Sequence, residues 1–307
     1  MHSGVDADHD ENAGVGVSVH VIDQVTVVCV TYRSARLAER MAATLAPFPH
    51  VVLVDNASND GTPARMRESI PHATILERTR NGGFGSACNQ GVSAASTPFV
   101  LLLNPDCHID VGAVAELLKA LHRYPSAGIA APQSWQHEGT PQKCYRQAFF
   151  ERMPRSPYRI PDATCSAKWL HGCCLLLRVD AFNCIGGFDE RFFLYYEDDD
   201  LCLRMHQAGF ECLLEPAANA AHTGGASSDA SLRIAFMKPY HYVRSRQLAI
   251  RKYEGRAASL VYLVKTLLGA IVAAPIYALL WQRNYAIRWF AWGCSALTSL
   301  SRLSRPG

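Results

Sequence analysis

The side chains best suited to chemistry are carboxylates gathered at one point in the chain. Glu197-Asp198-Asp199-Asp200 follows the aromatic run Phe192-Phe193-Leu194-Tyr195-Tyr196. Four adjacent acids repel one another, so they must be solvated, paired or used. A solvated helix N-terminus would tolerate them, because the helix dipole favours negative charge there. A carboxylate set among other carboxylates and rings has a raised pKa and can take a proton from a hydroxyl as a general base. The aromatic flank favours this second reading. Asn104-Pro105-Asp106 closes the apolar run Phe99–Leu103. It is either an ordinary turn with Pro at its second position, or a place where one carboxylate and a diphosphate hold Mg²⁺ or Mn²⁺, hard cations that want oxygen ligands. His222, in Ala221-His222-Thr223-Gly224-Gly225, would by itself be read as structural; beside a metal turn it becomes a metal or phosphate ligand.

Two further stretches suit a nucleotide. Asp55 directly follows Val51–Val54 and could accept hydrogen bonds from a ribose hydroxyl or a base N–H, or merely cap a turn. Asn81-Gly82-Gly83-Phe84-Gly85 leads through Asn89 into a helical stretch. Glycines there allow close backbone approach, and a helix N-terminus favours anions. The spacing and position are not those of the dinucleotide-binding fingerprint.

Positioning these groups falls to alternating elements. Val25–Val30, Val51–Val54 and Phe99–Leu103 read as buried strands, with Thr74–Leu76 and Gly128–Ala131 as shorter ones. Ser34–Leu45, Pro63–Ile70, Ser86–Ala95 and Val111–Tyr124 read as helices between them. The alternation predicts an α/β fold, a mostly parallel central sheet with flanking helices. Residues 132–168 read as a long irregular insertion, Leu175–Arg178 as a strand, Asp199–Ala208 as a helix stopped by Gly209, and Glu211–Leu214 as a last short strand. In such sheets ligands bind at the C-terminal strand ends, which is where Thr31-Tyr32, Asp55-Asn56 and Asn104-Pro105-Asp106 fall.

The bulk properties agree with an enzyme domain. The 307 residues, 49% hydrophobic and 19% charged, are enough for one large core. A net charge of +3 gives no footprint for nucleic acid. Eleven cysteines without a Cys-x-x-Cys pair read as small buried thiols of a reducing compartment, Cys29 and Cys184 among them, rather than a zinc site. Residues 1–24 carry five acids and no Lys or Arg, and read as a disordered tail rather than a secretory signal. Residues 233–256 carry seven Lys or Arg. The apolar Ala257–Trp281 that follows is long enough to span a membrane, though Lys265 and Pro275 interrupt it; flanking basic residues would keep both ends cytoplasmic, and a buried helix or an oligomer contact is the alternative.

The ordered set Val27–Tyr32, Val54–Thr62, Asn81–Gly85, Leu103–Asp106, Gly186-Gly187-Phe188-Asp189-Glu190, Glu197–Leu201 and His222 resembles the inverting family 2 glycosyltransferases of GT-A fold. Within them it is most similar to the bacterial rhamnosyltransferase-like enzymes of cell-surface polysaccharide synthesis. The resemblance implies a GT-A catalytic domain over 25–230 and a basic, apolar helical region over 231–307. It implies that Thr31, Tyr32, Asp55 and Asn56 hold the nucleoside, that Asn81, Gly83, Asn89 and Asn104 line the ribose and diphosphate, and that Asp106 and His222 hold Mg²⁺ or Mn²⁺. Asn104 stands where the family's Asp-x-Asp motif has its first Asp. Asp198 would be the general base, with Glu197 and Asp199 as rivals, and Trp169, His171 and Gly172 would meet the acceptor. The implied partners are a nucleotide-diphosphate sugar, dTDP-rhamnose first, a lipid-linked or saccharide acceptor, the cytoplasmic face of the inner membrane and a second copy of the chain, with no nucleic acid among them. The other classes weighed are a nucleotide-sugar-binding protein without catalysis, a nucleotidyltransferase, which should show a basic glycine-rich loop near the first strand, and a glycoside hydrolase, which needs paired carboxylates but no nucleotide rim.

Overall fold

The computed structural model describes residues 22–136, 139–150, 158–224 and 231–303. The acidic tail read over residues 1–24 lies almost wholly outside them.

A nine-stranded mixed sheet forms the centre. β1 (Val25–Thr31) pairs in parallel with β2 (His50–Asp55) on one side and β4 (Phe99–Leu103) on the other, and β3 (Thr74–Glu77) extends the parallel run beyond β2. β10 (Cys174–Arg178) runs antiparallel between β4 and β6 (Ala127–Trp135), and β11 (Glu211–His222) lies parallel to β6. β5 (Cys107–Ile109) and β8 (Cys165–Ser166) add antiparallel to β11. β7 (Tyr145–Arg146) and β9 (Trp169–Leu170) form a separate small sheet.

β1 shows why the long strands form. Val25, Val27 and Cys29 point into one apolar layer, Val28 and Val30 into the other. Each large side chain so buried contributes roughly 1.5–3 kcal/mol. Helices α1 (Ala38–Leu45), α2 (Thr62–Ser69), α3 (Phe84–Ser93), α4 (Val111–Arg123) and α5 (Val179–Cys184) cover the layers. α4 starts where Asp110 Oδ1 accepts the Ala113 N–H at 2.7 Å, an N-cap. α6 (Glu197–Gln207) carries the acids, and Gly209, with φ of 86°, follows its end. Three long helices complete the described chain: α7 (Leu232–Tyr253), α8 (Arg256–Leu279) and α9 (Arg283–Leu303).

Several boundaries differ from the sequence reading. The stretch Ser34–Leu45 begins as a 3-10 turn over Ala35–Leu37 before α1. The irregular insertion is partly regular: β6 runs on to Trp135 and β7, β8 and β9 fall within or beside it. Its polar Gln133 and Ser134 are strand residues buried in the sheet, which apolar patterning cannot reveal. β11 continues eight residues past Leu214, so His222 ends a strand rather than following one. A register shift between Glu215 and Asn219, around Pro216, hides that continuity. All eleven cysteines are free; Cys184, expected inside, is exposed.

Candidate active site

A cavity of about 1310 Å³ opens where β1, β2 and β4 end, bounded by the start of α6 on one side and by α7, α8 and α9 on another. Tyr32, Asn56, Asn81, Gly83, Asn104, Asp106, Trp169, His171, Gly172, Glu197, Asp198, Asp199 and His222 all line it. Residues up to 190 positions apart in the chain thus share one space, because strand ends on one rim converge.

Asp106 and His222 meet at its floor. The turn Asn104–Cys107 is closed by the Cys107 N–H donating to Asn104 O at 3.0 Å, with Pro105 at its second position. It sets the buried Asp106 carboxylate 3.5 Å from His222 Nε2. Gln142 clamps the other side of that imidazole. Its Nε2 donates to the His222 carbonyl at 2.8 Å, so its Oε1, 3.1 Å from Nδ1, must accept a proton from Nδ1. In the neutral ring Nε2 then keeps a lone pair facing Asp106, the tautomer control typical of a metal-binding histidine. Cis ligands on an octahedral ion with bonds of ~2.1 Å lie about 3 Å apart, so the pair fits a hard divalent cation that also takes diphosphate oxygens. His171, Cys173 and His222 make a second grouping, with one ligand atom from each within 4.8 Å of the others. A thiolate with two imidazoles suits a softer ion. Burial works against the His171 cation, but Cys173, Asp198 and Asp106 outweigh it and raise its pKa to about 9.

The acids are sorted by the first turn of α6. Asp198 is half-buried in the cavity; its Oδ2 accepts the Gly172 N–H at 3.3 Å and its Oδ1 the Asp199 N–H at 2.9 Å. Asp199 Oδ1 accepts from Arg146 at 2.7 Å and from the Phe150 N–H at 2.9 Å. Burial, then Asp198, pushes the Asp199 pKa up to about 7 against the pull of Arg146; the bidding of a permanently charged guanidinium at ion-pair distance argues for the ionised form. Glu197 is buried, its Oε2 has no partner among the described residues, and burial followed by the Asp198 charge lifts its pKa to about 8. Asp200 faces away, held by Arg204, Lys252 and Tyr253. Before the helix, Tyr195 and Tyr196 both adopt left-handed backbone, φ of 69° and 68°. Such conformations cost about 1–3 kcal/mol each in a bulky residue and gather at functional sites.

Thr31, Asp55 and Asn89, expected to meet the nucleotide, are not among the residues that line the cavity. Thr31 Oγ1 donates to Asp55 Oδ1 at 3.1 Å, and Asp55 Oδ2 accepts the Ser58 N–H at 2.8 Å, so this buried pair shapes the turn beneath the rim. Asn89 grips the Phe188 backbone and Glu190 instead. Asn56 does reach the rim: it donates to Gly83 O at 3.0 Å and accepts the Gly82 N–H at 3.1 Å, tying β2 to the glycine turn. Arg146 and Gln142 carried no motif and sat in the stretch read as irregular. Arg146 pairs with Asp199 and lies 4.0 Å from the centre of the Trp169 ring, anchoring both an acid and an expected acceptor residue.

This sheet order, with acids and a histidine around a cavity at the strand ends, is that of the GT-A fold. The solved mannosyltransferase PcManGT of Pyrobaculum calidifontis, in complex with GDP-Man and Mn²⁺, shares the fold at a TM-score of 0.56 and 19% identity, over 92% of this chain and 88% of that one. GalNAc-T7, solved with UDP, GalNAc and Mn²⁺, gives a TM-score of 0.56 at 16% identity over 72% of this chain, which spans only 47% of that structure. The sequence model described as glycosyl transferase family 2 matches residues 26–186, over half the chain, and that of the N-terminal domain of galactosyltransferase matches 160–223. An N-acetylglucosaminyl-diphospho-decaprenol L-rhamnosyltransferase of Mycobacterium tuberculosis is 32% identical over 233 residues, 65% of this chain and 76% of the relative. The chain belongs to glycosyl transferase family 2, in its rhamnosyltransferase-like subgroup.

Proposed function

We propose that this protein is an inverting, metal-dependent glycosyltransferase that moves rhamnose from dTDP-rhamnose to a hydroxyl of a lipid-linked acceptor. The observation that carries this reading is the placing of Asp198 in one cavity with the Asp106–His222 pair. Tyr32, Asn56, Asn81, Gly83 and Asn104 make the rim for the nucleotide, with Asp55 and Thr31 holding its shape. Mg²⁺ or Mn²⁺ held by Asp106 and His222 would neutralise charge gathering on the departing diphosphate. Asp198 takes the proton of the acceptor hydroxyl as that oxygen attacks the anomeric carbon from the face opposite the leaving group, so the configuration inverts. Its rivals are engaged otherwise: Asp199 with Arg146, and Glu197 in a buried, proton-retaining setting. Trp169, His171 and Gly172 position the acceptor beside Asp198.

The donor sugar and the lipid-linked acceptor are taken from the rhamnosyltransferase relative, whose acceptor is a diphospho-decaprenol. The exposed apolar α8 supports a peripheral place on the cytoplasmic face of the membrane. The test is Asp198→Asn. Transfer is expected to fall by about a thousandfold or more, while dTDP-rhamnose with Mn²⁺ still raises the melting temperature. A fully active variant overturns the assignment.

A further inference from the structure

The cavity has two electrically different sides. Asp106, Glu197, Asp198 and Asp199 stand on the sheet side. From different elements, Arg233, Lys238 and Arg246 of α7 and Lys265 of α8 line the same space. Among the described residues none of these four forms an ion pair with a carboxylate. Arg246 lies 5.1 Å from the centre of the Tyr262 ring, a contact that orients the guanidinium without neutralising it. Cations gathered without counter-charges repel one another, and an anion relieves that cost.

The same wall presents polar atoms awaiting partners. His241 is only 5% exposed, lines the cavity and stacks on Phe193 at 4.1 Å, yet neither ring nitrogen has a hydrogen-bond partner among the described residues. Trp292 Nε1 on α9 is likewise buried and, among the described residues, without a partner. Buried polar atoms are nearly always satisfied in folded proteins, so an orphan set facing a cavity marks a ligand. Beside the cations, Ile234 and Met237 give the wall an apolar component. One turn either side of Lys265, Val261 and Leu268 of α8 are exposed, so a hydrocarbon chain leaving the cations meets apolar surface at once.

Resting on the transferase reading above, we propose that this α7–α9 wall is the acceptor's anchor: it binds the diphosphate of a polyprenyl-linked acceptor, with the lipid chain passing out along α8. The acceptor then bridges the cavity, diphosphate on the basic side and sugar hydroxyl toward Asp198.

Isothermal titration of the full chain with farnesyl diphosphate, in saturating dTDP and Mn²⁺ so that the donor site is filled, tests this. Farnesyl diphosphate is expected to bind at least tenfold more tightly than farnesol or inorganic pyrophosphate. In the Lys238→Gln/Arg246→Gln variant its affinity is expected to fall at least tenfold with dTDP affinity unchanged, and Lys238→Arg/Arg246→Lys is expected to restore it. Lys265→Gln, at an exposed position, gives the same direction of effect without threatening the fold. Unchanged affinity in the Gln variants overturns the proposal. So does pyrophosphate binding as tightly as farnesyl diphosphate, which would mark a free-phosphate site, or farnesol doing so, which would mark a plain apolar groove. Failure of dTDP to bind the wild type would instead strike the donor reading, and the farnesyl diphosphate titration remains readable without it.

Discussion

Residues 197–200 are four consecutive acids in four environments. Helical geometry turns successive side chains by about 100°, so one first turn buries Glu197 in the cavity wall, leaves Asp198 half-buried in the cavity, sets Asp199 on Arg146 and turns Asp200 against α7. Their protonation therefore differs. Glu197 has its pKa raised from an ordinary 4.5 to about 8 by burial first and by Asp198 second. A carboxyl with the higher pKa in the folded state binds more protons folded than unfolded, so its contribution to stability declines as pH climbs between those two values. Glu197→Gln mimics the protonated form at every pH. It is expected to leave the melting temperature near wild type at pH 5 and to raise it by about 2 °C or more at pH 9. Thermal melts at the two pH values decide; equal shifts at both would mean Glu197 is not held protonated. Asp199, raised in the same direction, keeps some of the slope in the variant.

The glycine turn before α3 makes the case at the scale of elements. Gly83 has φ of 93° and ψ of 170°, a region only glycine occupies without strain, and an added Cβ would sit 2.4 Å from the Phe193 carbonyl oxygen. That carbonyl accepts the Phe84 N–H at 3.0 Å, so the turn is pressed against the strained segment leading into α6. Gly83→Ala is expected to separate the nucleotide rim from the acid helix, costing about 3 kcal/mol or more and weakening dTDP binding at least tenfold. Gly61 also has positive φ, 81°, but nothing lies within 4 Å of its added Cβ. Gly61→Ala should therefore cost only the local strain, about 1–2 kcal/mol, with dTDP affinity intact. Denaturant unfolding and nucleotide titration of both variants check the contrast; equal losses of affinity would refute the contact argument.

For the whole molecule the open question is what α8 faces. It is 24 residues long with a mean hydropathy of 1.9 in its most apolar window, of which only 17% is buried. Ser259, Leu263 and Ala270 form its narrow packed face, while Leu268, Ile271 and Val272 are about 60% exposed. At 1.5 Å per residue it is about 36 Å long, enough to lie in or cross a bilayer. The Leu268→Asp/Ile271→Asp/Val272→Asp variant is expected to move the protein from the membrane pellet to the soluble fraction of a low-salt lysate without detergent, and to release it from anionic liposomes in flotation. Wild type recovered wholly in the soluble fraction would rule out the membrane role.

Chain chemistry alone carried the strands β1, β2 and β4, because a strand buried on both faces must be an unbroken apolar run. It also carried the order of polar turns that marks the family. What it could not carry was direction. Whether an acid in a run of four points at a substrate, an arginine or the interior depends on neighbours such as Arg146, Gly172 and Lys252, which join it only in three dimensions. The polar strand residues of β6 and the bulged end of β11 escaped notice for the same cause: their hydrogen bonds, not their hydrophobicity, hold them in the sheet. The cavity's basic wall showed in the chain only as the run of Lys and Arg over 233–256; that Arg233, Lys238 and Arg246 of that run face the site was decided by α7, α8 and α9 packing over it.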